Sequence, residues 1–286
     1  MRDFNDKVAV ITGGASGIGR AIASALVGEG AHVVVADIDA EAVARTAAEL
    51  SGRGRAVLGV VVDVTQPSDV EALGARVLSA HETVHLLFAN AGVGVTEARR
   101  RLWTLPEADW RWAYEVNVMG VVRTLRAFVP AMLARGQEGA VVVTTSGNGG
   151  LTSLPATPIY ASSKAAVTSL TEVLHQQLLQ EGARLTAHLL FPGPNLVNTN
   201  ILSSHRVRPE AWRAPGEAPP PHLDMKAMAA SAGVAFQLTE PEEVATMALE
   251  GVREGRFWIL SRQSKGDDAV RERAQSILDR ENPRRR

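Results

Sequence analysis

Short apolar segments alternate with longer amphipathic segments from Lys7 almost to the end of the chain. The apolar segments are rich in β-branched residues, and they are apolar nearly throughout rather than at every second position. That pattern is typical of parallel strands that helices cover on both faces. It predicts seven strands, at 7–12, 32–37, 56–63, 84–90, 139–146, 184–191 and 256–260.

The amphipathic segments between these strands predict helices that are long enough for right-handed crossovers between parallel strands. Strands and helices in this alternating order indicate an α/β fold built on a doubly wound sheet. The predicted helices lie near 17–29, 40–51, 67–80, 107–134, 157–181 and 241–252.

Two segments have the character of linkers or lids: 93–102 after the fourth predicted strand, and 194–240 after the sixth. The density of proline in the second segment excludes a regular element over much of its length. Long loops in compact domains are often functional covers, so we predict that 194–240 is an insertion that covers the substrate. A subunit contact or a disordered segment is the alternative interpretation.

Composition narrows the class of protein. We interpret residues 1–286 as one domain, ending in a C-terminal tail at 267–286, because this length suits one large core. The chain has no cysteine, which excludes disulfides, thiolate metal ligands and cysteine nucleophiles. Its formal net charge of -1, with acids and bases interspersed, argues against nucleic acid as a partner.

Several features of the sequence suggest the cellular compartment of the protein. The first predicted strand begins at Lys7, which leaves no room for a signal peptide. No apolar run approaches the ~20 residues that a membrane helix needs, and the absence of cysteine suits a reducing compartment. We therefore expect a cytoplasmic protein with no membrane partner.

One segment matches a metal-binding motif in its residue types and spacing. The segment "HETVH", from His81 to His85, matches the HExxH pattern of zinc proteases. That motif needs both histidines on one face of a continuous helix, whereas His85 lies in the fourth predicted strand. We expect no metal site.

The segment "TGGASGIG", from Thr12 to Gly19, joins the first predicted strand to the first predicted helix. Glycines there allow a tight turn and close approach of the backbone to a pyrophosphate, and the helix N-terminus offers N–H groups and a positive dipole end. The spacing differs from the common GxGxxG fingerprint. The candidate cofactor-binding residues in it are Gly13, Ser16, Gly17, Ile18 and Gly19.

Asp37 ends the second predicted strand, where an acid can accept hydrogen bonds from the adenosine ribose and repel a 2′-phosphate. Ile38 and Asp39 follow, with no arginine or lysine at hand to bind that phosphate. The sequence therefore favours NAD over NADP. Asp37 could instead be a helix N-cap, a role that Asp39 would fill equally well.

Polar or turn residues also end the other central strands. In an open α/β sheet these ends form the rim where ligands bind, although the same residue types occur in any loop. We expect one site along this rim. Its further candidates are Asp63, Val64, Asn90, Ala91, Gly92, Ser146, Pro192 and Gly193.

The segment "YASSK" places Tyr160 and Lys164 four positions apart on one predicted helix, where they face the same side. An unperturbed tyrosine keeps its proton to roughly pH 10, and a nearby cation lowers that pKa. Such a pair would supply a proton-transfer group near neutral pH. Taken alone, it is also consistent with a chance pair on a helix surface.

Seven motifs, in order and spacing, resemble the short-chain dehydrogenase/reductase family. They are TGxxxGxG at 12–19, Asp63, "NAG" at 90–92, Asn117 in "VNVMG", Ser146, "YASSK", and "PG" at 192–193. The resemblance is dense from residue 5 to about 200 and looser to about 260. It implies a three-layer, Rossmann-type α/β fold with a central, mainly parallel seven-stranded sheet.

The resemblance also implies roles for four catalytic residues. Tyr160 is the acid or base, Lys164 lowers the pKa of Tyr160 and holds the nicotinamide ribose, Ser146 binds the substrate oxygen, and Asn117 supports a water relay. Thr199 is the candidate for binding the carboxamide, but it lies two positions later after Pro-Gly than the family pattern has it. Ala89 replaces an asparagine that is common before "NAG". Family members are usually dimers or tetramers, so we expect a homo-oligomer, with a tetramer favoured.

We therefore expect an NAD(H)-dependent oxidoreductase that interconverts a secondary alcohol and its ketone by hydride transfer. Apolar residues in 194–240 favour a bulky, hydrophobic substrate. The alternatives are an NADPH-dependent carbonyl reductase in biosynthesis and a non-catalytic dinucleotide-binding protein, which we would expect to lack one of the four catalytic residues. The apolar residues of 194–240 are Leu202, Trp212, Met225, Met228 and Phe236.

The tryptophans of 103–112 have two possible roles. They either stack on an aromatic ligand or pack helices and subunits together.

Overall fold

The computed structural model of the chain describes residues 1–53, 55–97, 100–213, 237–261 and 266–283. Each predicted strand forms, although several are shorter than the apolar segments that predict them. The strands are β1 Val8–Thr12, β2 His32–Asp37, β3 Leu58–Val61, β4 Leu86–Ala89, β5 Gly139–Thr144, β6 Leu185–Leu190 and β7 Trp258–Ile259.

The strands form one sheet in the order β3-β2-β1-β4-β5-β6-β7, and every neighbouring pair is parallel. The predicted seven-stranded, doubly wound, Rossmann-type sheet is confirmed. The chain winds outward in one direction from β1 to β3 and in the other from β4 to β7. The reversal between β1 and β4 leaves a crevice at the carboxyl ends of these strands.

Helices cover both faces of the sheet, and their bounds agree closely with the predicted ones. The predicted helix 107–134 is continuous but contains a π-helical segment, Glu115–Met119. The helices are α1 Gly17–Gly28, α2 Ala40–Ser51, α3 Pro67–His81, α4 Glu107–Tyr114, α5 Gly120–Arg135, the short α6 Gly147–Gly150, α7 Pro158–Gln180, α8 Pro241–Arg253 and α9 Asp267–Asp279.

The core lies in two layers, one on each face of the sheet. Ala9 and Ile11 of β1 pack with α1 and α8, whereas Val8 and Val10 pack with α5 and α7. Successive side chains of a strand point to opposite faces, so a strand covered on both sides must be apolar at every position. This explains the continuous apolar runs of the sequence.

The helical stretch Glu107–Arg135 is long and apolar enough, by length and composition, to cross a membrane. The charged side chains Arg123 and Arg126 interrupt the apolar run in the sequence. Within the fold, Phe128, Val129 and other apolar residues of α5 are buried against the sheet. A core helix has the same composition, so this stretch is a weak indication of a membrane span.

The described parts of the predicted insertion 194–240 hold two 3-10 helices, Ile201–Val207 and Glu210–Trp212. Residues 214–236 lie outside the described residues, and with them Met225, Met228 and Phe236. Within the predicted tail, α9 is a helix whose side chains are mostly exposed.

Candidate active site

A cleft of about 510 Å³ opens at the carboxyl ends of the strands, beside the crevice between β1 and β4. Its volume lies in the usual range for small-molecule sites. Gly19, Asn117 and Gly193 lie outside its lining. The predicted site residues that line it are Gly13, Ser16, Gly17, Ile18, Asp37, Asp63, Val64, Asn90, Ala91, Gly92, Ser146, Tyr160, Lys164, Pro192 and Thr199.

The glycine-rich turn between β1 and α1 has no room for a side chain at Gly13 or at Gly19. Gly13 has a positive φ of 64°, and a β-carbon there would lie 2.9 Å from the Ala91 Cα atom. A β-carbon at Gly19 would lie 2.1 Å from the Gly13 carbonyl oxygen. Gly19 therefore allows the tight turn, although it does not line the cleft itself. The turn therefore presents bare backbone and the N-terminus of α1 to the cleft.

Thr12 and Asn90 join the ends of β1 and β4. The Thr12 hydroxyl oxygen accepts hydrogen bonds from the backbone N–H groups of Asn90 at 3.1 Å and Ala91 at 3.2 Å. The Asn90 amide donates to the carbonyls of Thr12 and Gly13, and the Thr144 hydroxyl donates to Asn90 Oδ1 at 3.0 Å. The "NAG" segment is thus hydrogen bonded to the ends of β1 and β5, and it does more than turn the chain.

Asp37 lies at the end of β2, at the adenosine end expected for a dinucleotide. Its carboxylate accepts from the N–H groups of Ala15 at 3.1 Å and Asp39 at 3.2 Å, and burial raises its pKa. Asp39 caps α2 by accepting from Ala42 N–H at 3.0 Å. The helix-cap role considered for Asp37 therefore belongs to Asp39.

Arg206 is a residue at this end of the cleft that sequence reasoning missed. Its Nη1 atom lies 2.7 Å from Asp39 Oδ2, and its side chain lines the cleft together with Asp37 and Ile38. The inference that no cation is at hand is wrong. Arg206 follows Asp39 by 167 positions, so no local pattern in the sequence signals their contact.

Tyr160, Ser146 and Lys164 meet at the other end of the cleft. The side chains of Tyr160 and Ser146 are hydrogen bonded, and Lys164 Nζ lies 5.7 Å from the centre of the Tyr160 ring. Lys164 Nζ also donates to the Thr144 carbonyl at 3.0 Å. The four-residue spacing in α7 does place Tyr160 and Lys164 on one face, as predicted.

Burial shifts the pKa values of both members of this pair. Burial raises the pKa of Tyr160, and the hydrogen bond from Ser146 offsets only part of this effect. Burial also lowers the pKa of Lys164 to about 8. Burial is the main cause of both shifts, and the attraction between Tyr160 and Lys164 is not among their causes. The prediction that Lys164 lowers the pKa of Tyr160 therefore stays a prediction.

Asn117 lies in the π-helical segment and is fully buried. Its side-chain oxygen accepts from Val93 N–H at 2.8 Å, and its amide donates to the Val93 carbonyl and the Ser163 hydroxyl, each at 3.0 Å. A β-carbon added to Gly92 would lie 3.3 Å from Lys164 Nζ and 3.4 Å from Asn117 Oδ1. Asn117 therefore holds the loop after β4 beside Lys164. π-Helical turns of this kind are frequent at functional sites.

Glu97 is a second residue that sequence reasoning missed. Its side chain is buried, and its carboxylate accepts from the backbone N–H groups of Ile159 at 2.7 Å and Tyr160 at 3.1 Å. These N–H groups belong to the first turn of α7, where a helix has free donors and a positive dipole end. Burial raises the pKa of Glu97, although the two hydrogen bonds oppose this.

Residues 199–207, which we call the crossing segment, pass over the cleft and contact three of its loops. A β-carbon at Gly17 would lie 3.0 Å from Thr199 Cγ2, so Thr199 packs on the glycine-rich turn. Ser204 Oγ accepts from Gly94 N–H at 3.1 Å, and Arg206 pairs with Asp39. Thr199 thus reaches the cleft despite its altered spacing after Pro192 and Gly193.

Apolar side chains form part of the wall of the cleft that Tyr160 also lines. Of the three tryptophans in 103–112, Trp112 is buried and contributes to this wall, whereas Trp103 is exposed. The Arg208 guanidinium lies 4.7 Å from the Trp112 ring and pairs with Asp109 at 2.6 Å. The apolar lining comprises Val93, Trp112, Val116, Leu154, Leu196, Ile201, Val207 and Pro209.

The HExxH-like segment does not form a zinc-protease helix. α3 ends at His81, and Glu82 follows with a positive φ of 59°. His85 Nδ1 accepts a hydrogen bond from Val8 N–H at 3.1 Å beside β1. His81 therefore ends α3 and His85 precedes β4, so the two histidines do not share a helix, as the sequence context predicts.

The cleft has exposed backbone at one end and a tyrosine with its serine and lysine partners at the other. This arrangement is that of a Rossmann-type oxidoreductase with a dinucleotide site. Residues 7–208 match the family model described as short chain dehydrogenase, and the chain belongs to this family. The family resemblance drawn from the motifs is confirmed.

Solved and curated relatives support this placement. A short chain dehydrogenase/reductase from Burkholderia phymatum in complex with NAD is 40% identical, with a TM-score of 0.88 over 100% of this chain and 99% of that chain. The C alpha-dehydrogenase of a Sphingobium species is 33% identical over 265 residues, 91% of this chain and 82% of that protein. An alcohol dehydrogenase from the archaeon Thermococcus sibiricus, complexed with 5-hydroxy-NADP, is 28% identical, with a TM-score of 0.68 over 87% of this chain and 91% of that chain.

Proposed function

We propose that this oxidoreductase interconverts a secondary alcohol and its ketone, with NAD(H) as cofactor and Tyr160 as the acid or base. The observation that carries the proposal is the contact of Tyr160 with Ser146, beside the buried Lys164, in the same cleft as the glycine-rich turn. Hydride transfer to or from a carbonyl carbon requires a proton-transfer group and a dinucleotide-binding site in the same cleft.

The residues of the cleft fit a dinucleotide. The glycine-rich turn offers backbone N–H groups at the N-terminus of α1 for the pyrophosphate. Asp37 offers carboxylate oxygens for the adenosine ribose. The Lys164 ammonium has three donors, of which one bonds the Thr144 carbonyl, so the others can hold the second ribose. When bound, NAD would accept the hydride of the alcohol carbon.

The protein's part in the reaction is to orient the substrate and to move one proton. Ser146 donates to the substrate oxygen, and Tyr160 Oη exchanges a proton with the same oxygen. In reduction, the raised pKa keeps Tyr160 protonated and ready to donate. In oxidation, Tyr160 must first lose its proton, which a positive charge on Lys164 and on an oxidised nicotinamide favours.

The apolar wall supports a bulky, hydrophobic substrate. Trp112, Val116 and Leu154 line the cleft together with Tyr160, and the crossing segment adds Ile201 and Val207. Burial of apolar substrate surface contributes roughly 25 cal/mol per Å², so a substrate that fills this wall gains more than a small alcohol does. The names of two relatives, a C alpha-dehydrogenase and an alcohol dehydrogenase, are consistent with an alcohol substrate.

NADPH-dependent carbonyl reduction is the second candidate. Arg206 favours it, because a guanidinium at the adenosine end is a natural partner for a 2′-phosphate. Asp37 favours NAD, because its carboxylate repels that phosphate. Titration of the purified protein with NADH and with NADPH distinguishes the two candidates.

A panel of secondary alcohols with NAD, followed by NADH absorbance, tests the reaction class. We predict that Tyr160→Phe lowers turnover by at least about a hundredfold and leaves NADH binding intact, because it removes only the hydroxyl group that transfers the proton. Tyr114→Phe is a matched control, because these are the chain's two tyrosines and Tyr114 packs on Trp110. Full activity of Tyr160→Phe would contradict the proposal.

We also propose that the chain is a homo-oligomer that associates through α7. Leu170 and Val173 lie one turn apart on this helix, and both are exposed large apolar side chains. Exposed apolar side chains on neighbouring turns are typical of subunit contacts.

A further inference from the structure

Asp39 uses its two carboxylate oxygens for different purposes. Oδ1 accepts from Ala42 N–H at 3.0 Å and caps α2, whereas Oδ2 pairs with Arg206 at 2.7 Å. The pair joins the loop after β2 to the crossing segment at the mouth of the cleft. The two side chains are 23% and 33% exposed, so water screens the pair only in part.

Arg206 faces the part of the cleft where NADH and NADPH differ. It lines the cleft with Asp37 and Ile38, and Asp37 stands at the strand end that receives the adenosine ribose. NADPH carries a phosphate on that ribose, and arginine binds phosphate through paired N–H groups. Arg206 would thus be a phosphate ligand if its guanidinium were not already paired with a carboxylate.

We propose that Asp39 sets the cofactor preference of this enzyme by holding Arg206 in an ion pair and so withholding it from the 2′-phosphate of NADPH. This inference rests on the proposed dinucleotide-dependent function. Asp37 repels the phosphate directly, whereas Asp39 acts through Arg206. Arg45, on the exposed side of α2, is a second cation near Asp39 with a weaker influence on it.

The substitution Asp39→Asn separates the two roles of Asp39. Asparagine caps helices as well as aspartate does, so the contact with Ala42 and the start of α2 are retained. The amide no longer carries the charge that holds Arg206. We expect NADPH to bind about fivefold tighter, the effect of one partly exposed ion pair, while NADH affinity changes by less than about twofold. Fluorescence titration of both dinucleotides measures this without any substrate.

The partner variant shows whether Arg206 carries the effect. In an Arg206→Met background, Asp39→Asn should leave NADPH affinity unchanged, because the cation to be released is absent. An equal gain in both backgrounds would overturn the assignment, since Asp39 would then act by its own charge. Arg45→Met is the control for the second cation, and in that background Asp39→Asn should still increase NADPH affinity. Loss of this increase would transfer the role to Arg45 and overturn the assignment to Arg206.

The outcomes separate this inference from the proposed function. Normal NADH binding with no response of NADPH to Asp39→Asn would overturn the role of Asp39 alone. Failure of the unmodified protein to bind either dinucleotide would overturn the proposed function and this inference with it. Thermal melting of each variant verifies that α2 and the fold are retained.

Discussion

Lys164 shows how strongly burial alters a residue that the sequence places correctly. Its spacing from Tyr160 predicts a shared helix face, and the structure has that face. Its side chain is only 3% exposed and its Nζ bonds one carbonyl, that of Thr144. Desolvation disfavours the charged ammonium, which lowers the pKa to about 8. The pattern of residues does not carry this information, because burial depends on the whole fold.

The lowered pKa of Lys164 predicts a pH dependence of stability. Between pH 8 and 10.5 the unfolded chain binds more protons at this lysine than the folded chain does, so stability rises with pH. Lys164→Met removes this contribution. We expect the free energy of unfolding of the unmodified protein to rise by roughly 3 kcal/mol relative to the variant over this interval.

Urea denaturation at pH 8 and at pH 10.5, for both proteins, measures the difference. Tyr160 has a raised pKa and acts in the opposite direction only above pH 10, at the upper end of this interval. Parallel pH profiles for the two proteins would mean that Lys164 keeps its ordinary pKa in the fold.

Helix α7 carries both Tyr160 and Lys164, and its first turn is fixed by a residue from another loop. Glu97 accepts from Ile159 and Tyr160 N–H groups, so the backbone of Tyr160 is held directly. The helix also begins with Pro158, which needs no N–H partner. The position of the Tyr160 hydroxyl therefore depends on the loop after β4 as well as on α7.

We predict that Glu97→Ala lowers the free energy of unfolding by about 1–3 kcal/mol, because it leaves buried N–H groups without an acceptor. Turnover should fall more than NADH affinity does, since Tyr160 loses its support while the glycine-rich turn is untouched. Glu97→Gln retains an acceptor oxygen and should restore part of both. Urea denaturation and steady-state kinetics measure these effects.

Glu107→Ala is the matched control for this prediction. Glu107 pairs with Arg111 on the exposed side of α4, and exposed pairs one turn apart contribute at most about 0.5 kcal/mol. Equal losses for the two variants would indicate that Glu97 is an ordinary surface acid.

The strands and the helices that connect them could be predicted because their patterns are local, whereas α6 and α9 are not among the predicted helices. Continuous apolar runs mark strands that are buried on both faces, and the bounds of α1 and α2 follow from glycine turns and the cap at Asp39. The π-helical segment around Asn117 has no such signal, since it lies inside a stretch that the sequence predicts as one continuous helix. The contacts of Glu97 and Arg206 join residues far apart in the chain, and no single sequence records which loops meet.

At the scale of the whole molecule, the topology of the sheet brings the site together. Each predicted site residue near a strand end belongs to the carboxyl side of a parallel sheet, so one rim collects them all. This much follows from the alternation of strands and helices. The sequence also predicts a cover at 194–240, but not which of its residues contact the rim, because the crossing segment has no regular period in the sequence.

The proposed subunit contact predicts the molecular mass. We expect the unmodified protein to have the mass of a dimer or tetramer, and Val173→Glu to reduce it, because a charge would then have to be buried in the contact. Val61→Glu is the matched control, since Val61 is exposed to a similar degree, 54% against 51%, on β3. Light scattering coupled to chromatography measures the mass of each protein. A monomeric mass for the unmodified protein would refute the contact.

The lengths of the outermost strands bear on how copies of this chain can associate. β3 has four residues and β7 has two, so the sheet exposes little unpaired backbone at either margin. An added strand from another molecule would find few N–H and C=O groups to bond, which protects the protein against sheet extension and fibril growth. The proposed association through α7 would instead use side chains of a helical layer, where a single charged substitution can reverse it.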